Sequence, residues 1–223
     1  MSDNSENPTR ILIVDDHPLV RERLIELIDR EPDLVVSGEA EDRHEALEII
    51  GSILPDLAII DLTLKNSLGI ELIKDLQIRH PSVKILVVSM QDELIYAERC
   101  IRAGARGYIT KQEASRHVMI AIRHVLAGKI FLSETATSQL LNRSLGRPAA
   151  SNFEFSISLL ADRELQVFEL IGKGHSTRQI AELLMLDGKT IETYRARIKE
   201  KLALKDAPEL LQRAIAWVHY QAG

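Results

Sequence analysis

Short apolar runs alternate with amphipathic segments through the first half of the chain. Five runs rich in β-branched residues show little polar alternation, which is typical of strands covered on both faces. They predict strands at Ile11–Val14, Val35–Ser37, Leu57–Ile60, Ile85–Val88 and Tyr108–Ile109. Helical spacing of apolar residues predicts helices at Leu19–Ile28, Glu45–Ile50, Ile70–Ile78, Tyr96–Ala103 and Val118–Leu126. This alternation predicts a doubly wound, five-stranded parallel sheet with helices on both faces.

The pattern changes after residue 132. Residues 133–158 have no regular period, and Leu145–Ser151 has the composition of a linker. The segments beyond Leu159 predict helices at Arg163–Ile171, Thr177–Leu184, Lys189–Leu202 and Pro208–Tyr220. We therefore expect an N-terminal α/β domain over residues 1–132, a linker over 133–158 and a small all-α domain over 159–223.

Charge divides the chain in the same way. Residues 1–132 carry 16 Lys and Arg against 22 Asp and Glu, a net charge of −6. Residues 159–223 carry ten basic against nine acidic side chains, a net charge of +1. An acidic first module and a slightly basic second one indicate two domains with different partners.

Composition excludes several classes of protein. No apolar run approaches the ~18 residues that cross a bilayer, and no charged-then-apolar leader begins the sequence. A single cysteine, Cys100, suits a reducing compartment. Aromatic residues make up 4% of the chain, which argues against a reader of single-stranded nucleic acid. We expect a cytoplasmic protein without a membrane partner.

Side chains with useful chemistry follow four of the predicted strands. Asp15 and Asp16 come directly after the first strand, and Asp61 comes directly after the third. Ser89 follows the fourth strand, and Lys111 lies just beyond the fifth. Because parallel strands end at the same edge of a sheet, and such sheets bind ligands there, we expect these five side chains to converge.

Three neighbouring carboxylates repel one another unless a cation joins them. Oxygen ligands with open coordination positions suit Mg²⁺, which also binds phosphate oxygens. A lysine and a hydroxyl opposite the metal would hold the remaining oxygens of a phosphoryl group. Asp61 is then placed as a nucleophile that forms an aspartyl phosphate. The alternative is that Asp15 and Asp16 only cap a helix and that Asp61 begins a turn.

With these residues in place, residues 10–128 resemble the receiver domain of two-component response regulators, which has a flavodoxin-like fold. The resemblance implies that Asp61 is the phosphoacceptor and that a sensor histidine kinase supplies the phosphoryl group. It implies that Asp16 and Asp61 are direct Mg²⁺ ligands and that Asp15 acts largely through water. The main-chain carbonyl of Thr63 would supply a further ligand.

The resemblance also implies a switch. Ser89 and Tyr108 match the family's hydroxyl and aromatic pair, and Lys111 matches its phosphate-binding lysine. Ser89 would move to bond a phosphoryl oxygen, and Tyr108 would rotate inward into the vacated space. The family often has a proline four residues after the phosphoacceptor, where this chain has Lys65. We expect metal ligation to survive this change, and the loop over the site to differ in shape and mobility.

The predicted helix Lys189–Leu202 is the second segment whose pattern indicates a function. One stripe of this helix is apolar and must face a core: Ile191, Ile198 and Leu202. Small side chains at Thr193 and Ala196 would let the helix approach base edges, while cations beside them meet phosphates. The candidate DNA-binding residues are Lys189, Thr190, Glu192, Thr193, Arg195, Ala196, Arg197, Lys199 and Lys201. Alternatively, this helix is only a charged, solvated surface.

The helix Thr177–Leu184, with Ser176 as N-cap, would support that recognition helix across a short connection, in a helix-turn-helix arrangement. The stretch from Leu160 to Leu202 resembles the LuxR-type helix-turn-helix, and the whole chain is similar to response regulators of the NarL/FixJ family. Ala161 stands where the family usually has a capping Ser or Thr, so we expect Asp162 to cap the first helix, and Asp187 to cap the recognition helix.

The combined resemblance implies a transcription regulator gated by phosphorylation, not an enzyme that turns over an external substrate. It implies binding to double-stranded promoter DNA as a homodimer formed on activation. Three alternatives stay open. A phosphatase of the haloacid dehalogenase type would need a second Asp at Thr63, and an FMN-binding flavodoxin would lack the repelling pair Asp15 and Asp16. The third is a constitutive DNA binder whose receiver no longer signals.

Overall fold

A computed structural model describes residues 7–65, 67–145 and 156–221. The chain divides into two compact units, Met1–Leu140 and Leu141–Gly223. The boundary between the units falls inside the predicted linker, whose residues 146–155 lie outside the described ranges. We describe each unit by itself.

The first unit is built on a five-stranded parallel sheet. Its strands are β1 (Thr9–Val14), β2 (Leu34–Ala40), β3 (Leu57–Ile60), β6 (Lys84–Ser89) and β7 (Gly107–Thr110). They lie in the order β2-β1-β3-β6-β7, and every neighbouring pair is parallel. The predicted fold class is confirmed, and each predicted strand lies within an observed one.

Five helices cover the two faces of this sheet: α1 (Pro18–Ile28), α2 (Arg43–Ile53), α3 (Gly69–Arg79), α4 (Glu93–Ala103) and α5 (Lys111–Leu126). Side chains alternate along each strand, so β1 contributes to both faces. Ile11 and Ile13 pack with residues of α1 and α5. Leu12 and Val14 pack with residues of α2, α3 and α4. Both faces are buried, which explains the continuous apolar runs in the sequence.

The strand order reverses beside β1, because the chain passes from β1 to β2 on one side and then to β3 on the other. A reversal of this kind leaves a crevice at the carboxyl ends of the strands. The loops after β1 and β3 border that crevice, and they carry the acidic residues singled out in the sequence.

Two further elements were not predicted. A two-residue hairpin, β4 (Thr63–Leu64) with β5 (Ser67–Leu68), follows β3. A helix, α6 (Glu134–Ser144), occupies part of the stretch that we expected to be irregular, so that expectation is wrong for these residues. The hydroxyl of Ser133 accepts a hydrogen bond from the Ala136 N–H (3.1 Å), and Ala136 is buried in the core.

The second unit is entirely helical within its described residues. Four of its helices are α7 (Asp162–Gly172), α8 (Thr177–Leu184), α9 (Gly188–Lys201) and α10 (Ala207–Gln221), which confirms the four predicted helices. Phe168, Ile198 and Trp217 are buried in its core. A Cβ at Gly172 would lie 2.3 Å from the main-chain oxygen of Ala214, so glycine lets α7 and α10 approach closely. Among the helices of the described ranges, none combines the length and hydropathy that crossing a bilayer requires.

The helix starts confirm one cap and correct another. The Asp187 side chain accepts a hydrogen bond from the Lys189 N–H (2.7 Å) and caps α9. Asp162 does not cap α7, because it is the first helical residue and Ala161 occupies the N-cap position. The Glu164 carboxylate instead accepts a hydrogen bond from the Ala161 N–H (2.8 Å), which satisfies one of the free donors at this end.

Candidate functional site

The carboxylate of Asp61 lies between a hydroxyl and an ammonium group. Ser89 donates its Oγ–H to Asp61 Oδ1 over 2.7 Å, and Lys111 Nζ lies 2.7 Å from Asp61 Oδ2. The same ammonium lies 2.7 Å from Asp15 Oδ2, so one lysine bridges the ends of β1 and β3. Asp15, Asp61 and Ser89 are all buried. The structure therefore brings these four predicted residues into one pocket.

Burial and neighbouring charges shift the pKa values of Asp61 and Lys111 in opposite directions. Burial raises the pKa of Asp61 above its usual value, although the neighbouring Lys111 and Ser89 pull it down. Burial would lower the pKa of Lys111, but the charges and hydrogen bonds of Asp61 and Asp15 outweigh this effect and raise it. The single positive charge of Lys111 thus offsets only one of these two buried carboxylates, and Asp16 lies beside them, so the cluster keeps a net negative charge that another cation can balance.

The donor set fits a divalent cation. Asp15, Asp16, His17 and Asp61 each offer one ligand atom, and these atoms all lie within 4.8 Å of one another. Asp16 Oδ1 is inaccessible to solvent, yet it makes no well-formed hydrogen bond to the described part of the chain. Its near neighbour is His17 Nδ1 at 2.7 Å, an approach that lacks hydrogen-bond geometry. Carboxylate oxygens of this kind are the ligands that Mg²⁺ prefers.

Thr63, the predicted source of a main-chain ligand, begins β4 and has an exposed side chain. The loop that contains Lys65 is tied to the segment between β2 and α2. Lys65 donates its N–H to the main-chain oxygen of Glu41 (3.4 Å), and its ammonium lies 3.5 Å from the Glu41 carboxylate. The hydroxyl of Ser67 accepts a hydrogen bond from the Arg43 N–H (3.3 Å). Two attachments therefore hold this loop where the family often has a proline.

Gly69 leaves space for the main chain of the phosphoacceptor candidate. A Cβ at Gly69 would lie 2.0 Å from the main-chain oxygen of Asp61. We expect Gly69→Ala to lower the free energy of unfolding by about 1–3 kcal/mol, because the backbone must shift to relieve the overlap. We also expect slower phosphoryl uptake, since Asp61 moves with its backbone. Thermal unfolding and a labelling time course measure the two effects.

Gly51→Ala is the matched control. Gly51 lies in α2 with no atom within 4 Å of a Cβ. Alanine in a helix interior should stabilise the protein by about 0.5–1 kcal/mol. A Gly69→Ala protein that unfolds and labels like the Gly51→Ala protein would contradict the steric argument.

Tyr108 is already turned inward in the unmodified protein. Its ring is buried, and its hydroxyl donates a hydrogen bond to the main-chain oxygen of Gln91 (2.9 Å). Burial raises the pKa of Tyr108 well above its usual value. The mechanism expected from the sequence placed the inward rotation of Tyr108 after phosphorylation. Because Ser89 already bonds Asp61, the space for the ring is available before a phosphoryl group arrives.

Two residues near the pocket escaped the sequence analysis. Arg21 donates a hydrogen bond to the main-chain oxygen of Asp15 (2.6 Å) and pairs with Glu39 and Glu41 at 3.1 and 3.3 Å. His17 Nδ1 lies 3.2 Å from the carboxylate of Asp15, in addition to its approach to Asp16. For His17, the only signal in the sequence was its position directly after two acidic residues. For Arg21, the only signal was its place in the first turn of α1.

The structure divides the nine candidate DNA-binding residues by exposure. Five are exposed on one side of α9: Lys189, Glu192, Thr193, Ala196 and Arg197. Thr190 and Lys199 are half-buried. The exposed side therefore combines two cations with two small side chains, as recognition of a duplex requires.

The other two candidates are held by acidic side chains. Arg195 has a side chain that is 19% exposed and lies 3.7 Å from the Glu192 carboxylate. Lys201 Nζ lies 2.7 Å from the buried carboxylate of Glu164 and donates a hydrogen bond to the main-chain oxygen of Leu159 (3.3 Å). The ammonium of Lys201 thus holds α9 against α7, a role that the sequence did not predict.

Comparisons with known proteins match a family to each part of the chain. The family model described as "Response regulator receiver domain" matches residues 11–123, and the one described as "Bacterial regulatory proteins, luxR family" matches residues 158–214. The chain is 34% identical to the response regulator GacA of Pseudomonas viridiflava over 206 residues, covering 92% of this chain and 95% of that one. It is 32% identical to the oxygen regulatory protein NreC of Staphylococcus aureus (strain bovine RF122 / ET3-1) over 209 residues, covering 92% and 96%.

Solved structures of response regulators are also similar to this chain. A two-component response regulator of the LuxR family from Aurantimonas sp. SI85-9A1 is 33% identical, with a TM-score of 0.57, and covers 62% of this chain and 99% of its own. RcsB from Salmonella enterica serovar Typhimurium, bound to promoter rprA with the phosphomimetic BeF₃⁻, shares the fold. It is 24% identical, with a TM-score of 0.65, and covers 93% and 98%.

These matches exclude the phosphatase and the FMN-binding flavodoxin, because the relatives are transcription regulators and not enzymes acting on an external substrate. They extend over both units and nearly the whole length of the relatives. The chain belongs to the two-component response regulators that join a receiver domain to a LuxR-type helix-turn-helix domain.

Proposed function

We propose that this protein is a DNA-binding response regulator whose Asp61 accepts a phosphoryl group from a sensor histidine kinase. The observation that carries the proposal is the position of the Asp61 carboxylate, 2.7 Å from both Ser89 Oγ and Lys111 Nζ and beside Asp15 and Asp16. Phosphorylation releases the C-terminal domain and promotes dimeric binding to promoter DNA. Because that DNA is cytoplasmic, the protein acts there.

The proposed reaction transfers a phosphoryl group from an imidazole nitrogen of the kinase to a carboxylate oxygen of Asp61. A carboxylate oxygen of Asp61 forms a bond to phosphorus while the bond from phosphorus to the kinase imidazole nitrogen breaks, and the freed imidazole takes up a proton from water. Lys111 and Ser89 already donate to this carboxylate, so both groups lie within reach of the charge that accumulates on the phosphoryl oxygens.

Asp15, Asp16 and Asp61 would hold Mg²⁺, with the main-chain carbonyl of Thr63 as a further ligand. The ion supplies positive charge that offsets repulsion between the carboxylates and the incoming phosphoryl oxygens. The buried Asp16 Oδ1, which lacks a well-formed hydrogen bond in the described ranges, supports this assignment. Arg21 orients the same turn through the main-chain oxygen of Asp15.

A line of contacts leads from Asp61 towards the end of the receiver. Ser89 bonds Asp61, and Tyr108 bonds the main-chain oxygen of Gln91 in the loop that enters α4. The Glu93 carboxylate, at the first residue of α4, accepts a hydrogen bond from the Ser133 N–H (2.9 Å), just before α6. A phosphoryl group on Asp61 adds charge and acceptor oxygens at the start of this line. The phosphoryl group shifts the equilibrium between two arrangements of these contacts, and α6 is the last element that the contacts reach.

The exposed side of α9 is the proposed DNA-contacting surface. Lys189 and Arg197 meet phosphates or base edges, while Thr193 and Ala196 allow close approach. The second module has a net charge of only +1, so a single copy should bind non-specific DNA weakly. Two copies on adjacent half-sites would supply the affinity. RcsB, which shares this fold, is bound to a promoter with the phosphomimetic BeF₃⁻.

A comparison with and without beryllofluoride tests the whole proposal. In the presence of Mg²⁺, we expect beryllofluoride to shift the full-length protein from monomer to dimer in light scattering after gel filtration. We also expect it to produce a footprint of two half-sites on target DNA selected from random sequences. The variant Asp61→Asn should show neither change. Identical mass and footprint in both states would identify a constitutive DNA binder and contradict the proposal.

A further inference from the structure

The side of α9 that carries the candidate DNA contacts also carries an acid. The side chain of Glu192 is 62% exposed, on the same side as Lys189, Thr193 and Arg197. Phosphates line the major groove of a duplex, and they repel a carboxylate that enters between them. An acid in this position therefore weakens binding to every sequence unless it meets a hydrogen-bond donor on a base.

The Glu192 carboxylate is oriented by the helix that precedes α9. Thr177, the first residue of α8, donates its hydroxyl hydrogen to Glu192 Oε1 over 2.7 Å. Arg195 Nε lies 3.7 Å from the same oxygen. Because both contacts engage Oε1, the second oxygen, Oε2, can accept from a base without breaking either one. A side chain that is ordered in this way loses less conformational entropy when it binds.

The neighbouring side chains suit close approach to the bases. The hydroxyl of Thr193 donates a hydrogen bond to the main-chain oxygen of Lys189 (2.9 Å), so its methyl group remains for contact with a base. Ala196, one turn further along, is exposed and has no polar side-chain atom. These two small apolar groups let α9 approach the base edges, and Glu192 is the acceptor that this approach brings to them.

We infer that Glu192 makes the protein specific for cytosine at one fixed position of each half-site. The inference rests on the proposed function, because it assigns a base to the same helix. In the major groove, cytosine presents its N4 amino donor, whereas guanine presents the acceptors N7 and O6 and thymine presents the acceptor O4. Adenine has an N6 donor beside an N7 acceptor that repels a carboxylate. Cytosine is therefore the base that satisfies Oε2 and compensates for repulsion by the phosphates.

Selection from a pool of random duplexes tests this inference, with full-length, beryllofluoride-treated protein and sequencing of the bound DNA. We expect wild-type protein to select cytosine at one fixed position of each half-site. Exchange of that C·G pair for another pair should weaken binding by about five- to a hundredfold. The Glu192→Gln variant should prefer adenine there, because glutamine carries an acceptor and a donor that match adenine N6 and N7.

Two further variants separate recognition from charge and from orientation. Glu200 is also exposed on α9, about 12 Å along the helix axis from Glu192. The Glu200→Gln variant loses the same charge and should keep the preference for cytosine. The Thr177→Val variant lacks the hydroxyl that orients Glu192, so its preference for cytosine should decrease without a new preference for adenine.

The possible results distinguish this inference from the proposed function. Selection of the same sites by Glu192→Gln and wild-type protein would overturn the inference, and so would loss of the cytosine preference in Glu200→Gln. Wild-type sites without a fixed cytosine would also overturn it, while α9 would keep its role as the DNA-contacting helix. Wild-type protein that selects no site at all would contradict the proposed function itself.

Discussion

Replacement of Asp61 with asparagine should abolish Mg²⁺-dependent phosphoryl uptake from acetyl phosphate. The amide has no carboxylate oxygen that can attack phosphorus, and it removes one of the anions that would hold the metal. Asn is nearly the same size and can still accept from Ser89 or Lys111, which bond the carboxylate in the native protein. Intact-mass measurement of the labelled protein and phosphate-affinity gels report the outcome.

The asparagine variant should remain folded, so loss of labelling will not be a stability effect. Burial raises the pKa of Asp61 above that of an unfolded aspartate, so folding favours the protonated form at this position. At neutral pH the ionised carboxylate therefore opposes folding, and its neutralisation should preserve or raise the melting temperature. The unfolding midpoint, followed by circular dichroism, checks this expectation.

Asp56→Asn is the matched control for that experiment. Asp56 precedes the same strand β3 at its opposite end, is exposed, and accepts a hydrogen bond from the Arg10 N–H (2.8 Å). This variant should take up phosphoryl groups at the wild-type rate. Labelling that persists in Asp61→Asn, or that vanishes in Asp56→Asn, would assign the phosphoacceptor to another residue.

The sheet and the convergence of the pocket residues could be predicted because both depend on topology. Runs such as Ile11–Val14 and Leu57–Ile60 are apolar on both faces, and parallel strands with helical crossovers align their carboxyl ends. Asp15, Asp61 and Ser89 therefore meet wherever the strand order is of this kind. No side-chain detail is needed for that conclusion.

The features that could not be predicted depend on individual side-chain contacts. The inward position of Tyr108 depends on a single acceptor, the main-chain oxygen of Gln91, which no periodicity reveals. The hairpin after β3 is two residues long in each strand, too short to produce an alternation of polar and apolar positions. Lys201 was assigned to DNA because it is a cation on α9, whereas its partner Glu164 is 37 residues away in the sequence.

The order of the switch also changes in the light of the structure. Ser89 is bonded to Asp61 and Tyr108 is buried before any phosphoryl group is attached. If Asp61 is phosphorylated as proposed, the phosphoryl group would stabilise an arrangement that the unmodified chain already adopts, and would not create it. A ligand shifts such an equilibrium only through its differential affinity for the two states. A small fraction of dimer and weak DNA binding are therefore expected without a phosphoryl group, and both should increase with beryllofluoride.

Removal of Lys189 or Arg197, the cations beside the small side chains of α9, should produce the largest loss of DNA affinity. Lys189 and Arg197 are both exposed on the side of α9 that carries Thr193 and Ala196. We expect Arg197→Ala to cost about 1–3 kcal/mol of binding free energy if it reads a base edge. Lys189→Ala should weaken binding to all sequences and reduce the slope of log K against log salt by about 1. Gel-shift titrations of beryllofluoride-treated protein at several salt concentrations measure both quantities.

Lys173→Ala separates a contact from a general charge effect. Lys173 is exposed in the same domain and follows α7, so its replacement removes the same charge without changing α9. Long-range attraction is screened beyond about 8 Å at physiological salt, and this control should bind DNA nearly as the wild-type protein does. Phosphoryl uptake should be normal in all three variants, because the pocket lies in the other unit. A Lys173→Ala protein as impaired as Arg197→Ala would show that only net charge matters, and α9 would then lose its assignment as the DNA-contacting helix.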